Sequence, residues 1–195
     1  SFYAIPEDNS LYNMMGSIDD VMIGVIGEGL AANLLANGTW VGSLSEISQT
    51  SGYWIKIESD ANLSVFDAIP SDPGLTYDLH AGANLISYPS NISMPIGDAV
   101  SSEYSEYING FIGEGEAASL LPNGSWVGSL TQFYGNKGYW FKVNEDFEFN
   151  FDIADEQLTR SINFNSNNIQ KYPQGMEYSQ STNQAFYFIR DILID

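Results

Sequence analysis

Apolar residues fall in short runs along the chain, and where the runs are regular their period is two. Phe147-Glu148-Phe149-Asn150-Phe151-Asp152 alternates strictly, which places its three phenylalanines on one face of a predicted β-strand. Leu63 and Val65 mark a shorter run of the same kind. In Gly52-Tyr53-Trp54-Ile55-Lys56-Ile57 the alternation puts Trp54, Lys56 and the following Glu58 on one face. Tyr53, Ile55 and Ile57 take the other, which is the predicted core side. Gly138 to Val143 repeats this arrangement. The apolar stretch Ala31 to Leu35 is separated from Trp40-Val41-Gly42-Ser43-Leu44 by Asn37-Gly38. Ala117 to Leu121 is separated from Trp126-Val127-Gly128-Ser129-Leu130 by Asn123-Gly124. Asn-Gly supplies the two positive φ values of a type I′ turn, so each block predicts a β-hairpin. Ser10 to Met15 and Pro95 to Val100 are each compatible with one or two turns of helix.

These patterns come in pairs. Gly24 to Glu58 aligns without a gap on Gly110 to Asn144, 86 positions later, and 20 of the 35 aligned residues are identical. Self-similarity of this extent indicates duplication of one folding unit. The second copy opens with an apolar strand, Leu79 to Pro89. Its counterpart in the first copy would begin before Ser1, so the chain is expected to start inside a strand, either as part of a longer polypeptide or with the missing residues supplied by something else. Ala68 to Gly74 has the proline and glycine punctuation of a short linker. Beyond Phe151, residues 155 to 175 are polar and Asn-rich, and Gln184 to Ile194 is an apolar run compatible with a buried strand. The expected fold is α+β and mainly β, with two homologous small β-rich modules, each a hairpin plus a short helix. Module one covers residues 1–70, with its N-terminal strand truncated, and module two covers 76–154. Residues 155–195 form a strand-containing extension or the start of a third domain.

Charge narrows the choice of partners. With 25 Asp and Glu against 6 Lys and Arg, the formal charge is −19. Binding to a phosphate backbone or an anionic membrane surface is therefore not expected. Two readings of the acidity stay open: solubility in a salty medium, where screening over about 8 Å or less makes self-repulsion tolerable, and binding of Ca²⁺ by carboxylates. The lack of cysteine removes disulfides, thiolate chemistry and zinc–thiolate sites, and the single histidine, His80, removes multi-histidine metal centres. No run of about 18 apolar residues predicts membrane insertion. No secretory leader opens the chain, so an export signal is expected to have been removed or to lie upstream.

The order Leu79-x-x-Gly82-x-Asn84-Leu85-Ile86-Ser87, a short helix, Trp126-x-Gly128-x-Leu130, then Gly138-Tyr139-Trp140-x-Lys142-Val143 resembles a module repeated in large secreted or surface proteins of marine and gut bacteria. It departs from that pattern at Ala83, where an aromatic is usual. Tyr178 to Phe188 is similar to the opening of another module that follows such repeats. The resemblance implies an extracellular or cell-surface location and partners among other modules of the same polypeptide or neighbouring subunits. It carries no catalytic residues.

Candidate chemistry is sparse. Trp40, Trp54, Trp126 and Trp140 either pack at the core and its rim or stack on sugar rings, in which case the duplication would give a bivalent carbohydrate binder. Glu28 and Glu114, in Gly27-Glu28-Gly29 and Gly113-Glu114-Gly115, are candidate ligands for equivalent Ca²⁺ sites, the only cofactor the sequence suggests. The glycines around them fit a bulge or a close strand approach better than a nucleotide loop, because a hairpin follows and not a helix. Lys56 and Lys142 are expected in local salt bridges. An isopeptide bond to Asn144 or Asn150 would need an apolar site. Asn37, Asn62, Asn91 and Asn123 open Asn-x-Ser/Thr triplets, two of them already accounted for by turns. A Ser-His-Asp triad would rest on His80 alone, which is expected at the surface. The sequence therefore points to a non-catalytic structural or adhesive segment. A glycan-binding pair is one alternative. Another is a self-assembling subunit in which the strand at 185–195 completes the clipped first strand of a neighbour.

Overall fold

The structure, a computed structural model, describes residues 1–72 and 74–153. The C-terminal extension, including the run at 184–194, lies outside the described residues. The first repeat contains β1 (Ala4–Ile5), α1 (Leu11–Met15), β2 (Met22–Ile26), β3 (Ala31–Leu34), β4 (Trp40–Gly42), β5 (Trp54–Ile57) and β6 (Ile69–Pro70). The second contains β7 (Thr76–Leu79), β8 (Gly82–Ser87), β9 (Met94–Pro95), α2 (Ile96–Ala99), β10 (Ile108–Ile112), β11 (Ala117–Leu120), β12 (Trp126–Gly128), β13 (Gln132–Phe133), β14 (Gly138–Val143) and β15 (Phe147–Asn150). Every pairing is antiparallel, and the fold is mainly β.

The two repeats build sheets of the same order and register. One runs β4-β3-β2-β5 and the other β12-β11-β10-β14, extended by β8. Val25 faces Ala32 and Ile55, as Phe111 faces Ala118 and Phe141. Both sheets shift register one residue before the central glycine, between Met22 and Gly24 and between Ile108 and Gly110. Each encloses its own core. Leu11, Met14, Met15, Val25, Ala32, Leu44 and Ile47 fill the first. The second is larger and dominated by interlocked rings of Tyr77, Tyr88, Phe111, Phe133, Phe141, Phe149 and Phe151.

At the helices the offset changes to 85. Leu11 N–H donates to Ser45 O as Ile96 N–H donates to Thr131 O, and Leu11 and Ile96 are both buried. The extra residue of the second repeat is absorbed by its longer 3₁₀ segment, Ser102–Glu106 against Gly16–Ile18. Both expected short helices form, and Ser10 caps α1 by accepting Asn13 N–H at 3.4 Å.

The hairpins form with a different turn from the expected type I′. Neither Asn37 nor Asn123 has positive φ, whereas Gly38 and Gly124 lie at 80° and 79°. Gly38 N–H bonds to Leu35 O and Leu35 N–H to Thr39 O, and Gly124, Leu121 and Ser125 do the same. This is a three-residue loop, a type I turn closed by a left-handed glycine. The asparagine serves through its side chain: Asn37 Oδ1 and Asn123 Oδ1 accept the N–H of Thr39 and Ser125, each at 3.1 Å. Gly42 and Gly128 (φ 152° and 140°) cross so close to the preceding strand that a Cβ would lie 2.1 Å from the carbonyl oxygens of Ala31 and Ala117.

Two expectations fail in the first repeat. Residues 58–66, with Leu63 and Val65, form no strand. Their counterparts in β15 pair with β7 from Leu79–Phe147 to Thr76–Asn150, and no described strand stands in β7's place beside the first repeat. The linker reading of Ala68 to Gly74 also needs correction, because β6 pairs with β1 and Ser71 N–H donates to Tyr3 O.

Candidate functional site

The joint between the repeats is built on β8. One edge of β8 pairs with β14 along its whole length, from Ser87–Gly138 to Gly82–Val143. Its other edge meets the first repeat: Gly52 N–H donates to Leu85 O at 2.9 Å and Ser87 N–H to Thr50 O at 3.0 Å. The contact is reciprocal. Ser1 stands 86 residues before Ser87, and its nitrogen donates to Asn136 O at 3.3 Å, 86 residues after Thr50. Where the two halves meet, Gly52 lies against Gly138, so that a Cβ on Gly138 would be 3.0 Å from Gly52 Cα. Exchange of equivalent partners is the mark of an approximate two-fold relation.

Glu28 latches this joint. Its Oε2 accepts Leu85 N–H at 2.7 Å and its Oε1 accepts from His80 Nε2 at 2.6 Å. His80 Nδ1 lies 3.0 Å from Ala81 O. With an acceptor on each ring nitrogen, both nitrogens must carry hydrogen, so the geometry selects the imidazolium. Accordingly the Ala81 carbonyl first, and then the Glu28 carboxylate, hold the His80 pKa above the usual imidazole value. Asp146 closes the corner by accepting Ala81 N–H at 2.7 Å.

Against the first repeat the joint leaves a groove, which reaches Leu85 and Gly138. About 620 Å³ in volume, it runs beside β5 and is lined by Phe2, Tyr53, Ile55, Leu63, Val65 and Glu114, among others. The equivalent space beside β14 is filled by β8. Exposure follows: Ile57 is 37% exposed and its counterpart Val143 only 3%. Ile55 is half-buried where Phe141 is sealed.

The four tryptophans divide in the same way. Trp40 and Trp126 are half-buried and pack on the two cores, Trp126 stacking on Phe111 with ring centroids 4.6 Å apart. Trp54 is 46% exposed at the groove, while Trp140 is half-buried opposite Leu85. Glu28 is committed to His80 and β8. Glu114 is exposed and, among the described residues, accepts no hydrogen bond through its side chain. No group of three or more His, Cys, Asp or Glu side chains is placed to hold a metal ion among the described residues. Gly27 and Gly113 do permit close approach, since a Cβ would lie 3.2 and 3.1 Å from the Tyr53 and Tyr139 rings. The hydroxyls of those tyrosines accept Ser48 N–H and Tyr134 N–H at 2.8 and 2.7 Å, and burial pushes Tyr139 up to about 12.

Among the described residues Lys56 and Lys142 make none of the salt bridges expected of them. The residues facing them across the sheet are Gly24, Gly110 and Ala83, which offer no carboxylate, and both lysines point to solvent. Among the described residues the ion pair is His80–Glu28. Asn144 and Asn150 donate their side-chain amides to the backbone, Asn144 to Glu106 O and Asn150 to Gly74 O and Leu75 O. The latch itself was missed from sequence, because Glu28 and His80 are 52 residues apart and only the contact of Gly52 with β8 brings them together.

No protein-family model, curated protein or solved structure matches the chain.

Proposed function

We propose that the chain is a non-catalytic structural or adhesive segment of a larger extracellular or cell-surface protein, in which two homologous modules form a rigid spacer or contact surface. The observation that carries this reading is the use to which the repeated residues are put. Gly24, Asn37, Gly42, Ser43, Tyr53 and their counterparts 86 positions on set turns, registers and close strand approaches. Repetition has thus kept a scaffold. The reciprocal joint at Gly52 and Gly138 supports a fixed orientation of the two halves, as a spacer requires. The acidic surface suits a salty exterior medium.

Exposure of Trp54 favours a second reading, a glycan-binding module. Its counterpart Trp140 is half-buried beside β8, so this reading has one well-exposed indole where a bivalent binder needs two. An antibody raised against residues 1–153 tests the first reading. It should label intact source cells or their secreted material. Labelling only after lysis would overturn it, and glycan-array binding lost in Trp54→Ala would favour the second.

A further inference from the structure

We propose that Asn37 and Asn123 are equivalent sites of spontaneous backbone modification, by succinimide formation and hydrolysis, and that each is gated by the turn it helps to build. The inference goes beyond the reading of the chain as a spacer and does not depend on it. Asparagine followed by glycine is where this chemistry meets least hindrance, because glycine carries no side chain beside its nitrogen. The chain has three such dipeptides: Asn37-Gly38, Asn109-Gly110 and Asn123-Gly124. In the reaction the glycine nitrogen loses its hydrogen and attacks asparagine Cγ. The new C–N bond closes a five-membered ring, the side-chain amide bond breaks, and its nitrogen leaves as ammonia. Water then opens the ring. Attack at Cγ gives aspartate, and attack at the main-chain carbonyl carbon gives isoaspartate, whose backbone runs through Cβ. Water is consumed, ammonia is released, and nothing is oxidised or reduced.

The turn holds both reacting groups. The nitrogen that must give up its hydrogen is donating it, from Gly38 to Leu35 O at 2.8 Å and from Gly124 to Leu121 O at 2.9 Å. The carbonyl that must take the attack is held at Oδ1 by Thr39 N–H and Ser125 N–H, each at 3.1 Å. The folded hairpin therefore slows the step, and local opening of the loop releases it. Asn109 supplies an internal contrast. It lies in β10, between β11 and β14, and its Nδ2 donates to Asn144 Oδ1 at 2.6 Å. Gly110 is buried and registered with Ser119 and Lys142, so freeing its nitrogen requires the sheet itself to open. One chemistry is thus graded by place in the fold, with two sites at exposed hairpin tips and one in a central strand. The products differ as well. Aspartate keeps an oxygen for the same N–H and adds a negative charge. Isoaspartate inserts a methylene into the backbone, and the Leu35–Thr39 and Leu121–Ser125 bonds lose their register.

The test uses the whole 195-residue chain, incubated in mildly alkaline buffer with and without guanidinium chloride. Conversion of amide to acid at the three asparagines is followed by peptide mapping with mass spectrometry. In the denatured chain all three should convert at similar rates. In the native chain Asn37 and Asn123 should convert at least about tenfold more slowly, the rate equivalent of one hydrogen bond in the turn, and Asn109 more slowly still. Asn37→Asp should remove the signal at residue 37 and leave that at Asn123 unchanged. Equal native and denatured rates at Asn37 and Asn123 would overturn the gating, and no conversion in the denatured chain would overturn the sites. Native rates at the two tips as slow as at Asn109 would also overturn the proposal, because control would then lie in opening of the whole sheet.

Discussion

Identical or similar residues at paired positions carry different loads in the two repeats. Phe141 is sealed beneath β8 and β15, touching Phe111, Phe133, Phe149 and Phe151. Its counterpart Ile55 borders the groove. Truncating a buried aromatic removes its transfer free energy and leaves a cavity, so Phe141→Ala should cost about 3–5 kcal/mol. Ile55→Ala should cost less than about 2 kcal/mol, because part of its surface is already in water. Urea unfolding of the two variants measures the difference, and equal losses would mean that the groove is closed in solution. Alternation correctly assigned both residues to the inner face. It carries no information about what lies above that face, and there the repeats part.

At the level of strands and hairpins, much was legible because local chemistry decides it. Strict alternation located β14 and β15, and the paired Asn-Gly dipeptides located both hairpins. The turn type was not legible: two- and three-residue loops both favour Asn-Gly, and the choice is made by the register of β3 against β4. The strand expected at Leu63 and Val65 failed for a related reason. A short alternating segment becomes a strand only beside a partner, and β15 has β7 where residues 61–64 have none among the described residues. The latch between β8 and the β2–β3 loop was equally invisible, being a contact across 52 positions. Its behaviour with pH follows from the raised His80 pKa. A group whose pKa rises on folding stabilises the folded state fully below its unfolded value, near 6.5, and loses that contribution as pH climbs through the folded value. The melting-temperature difference between wild type and His80→Ala should therefore be largest in mildly acidic buffer and shrink as pH rises above 6.5. A difference that grew with pH would show that the imidazole is held neutral.

For the whole molecule, the net charge of −19 sets the response to salt. Self-repulsion of so many carboxylates opposes the compact state, and it is screened as the Debye length falls from about 30 Å at 0.01 M to about 3 Å at 1 M. Melting temperature should rise on going from low to high sodium chloride, measured at pH 7 by circular dichroism. A fall would mean that attractive pairs such as His80–Glu28 outweigh the repulsion. The strand shared at the joint has one more consequence. Trp54 and Trp140 sit in the same sequence, Gly-Tyr-Trp-x-Lys, yet among the described residues only Trp140 has paired strands on both sides, and it is half-buried where Trp54 is 46% exposed. Acrylamide should therefore quench Trp54 ahead of the three half-buried indoles, and the part of the quenching that disappears in Trp54→Phe isolates its contribution from theirs.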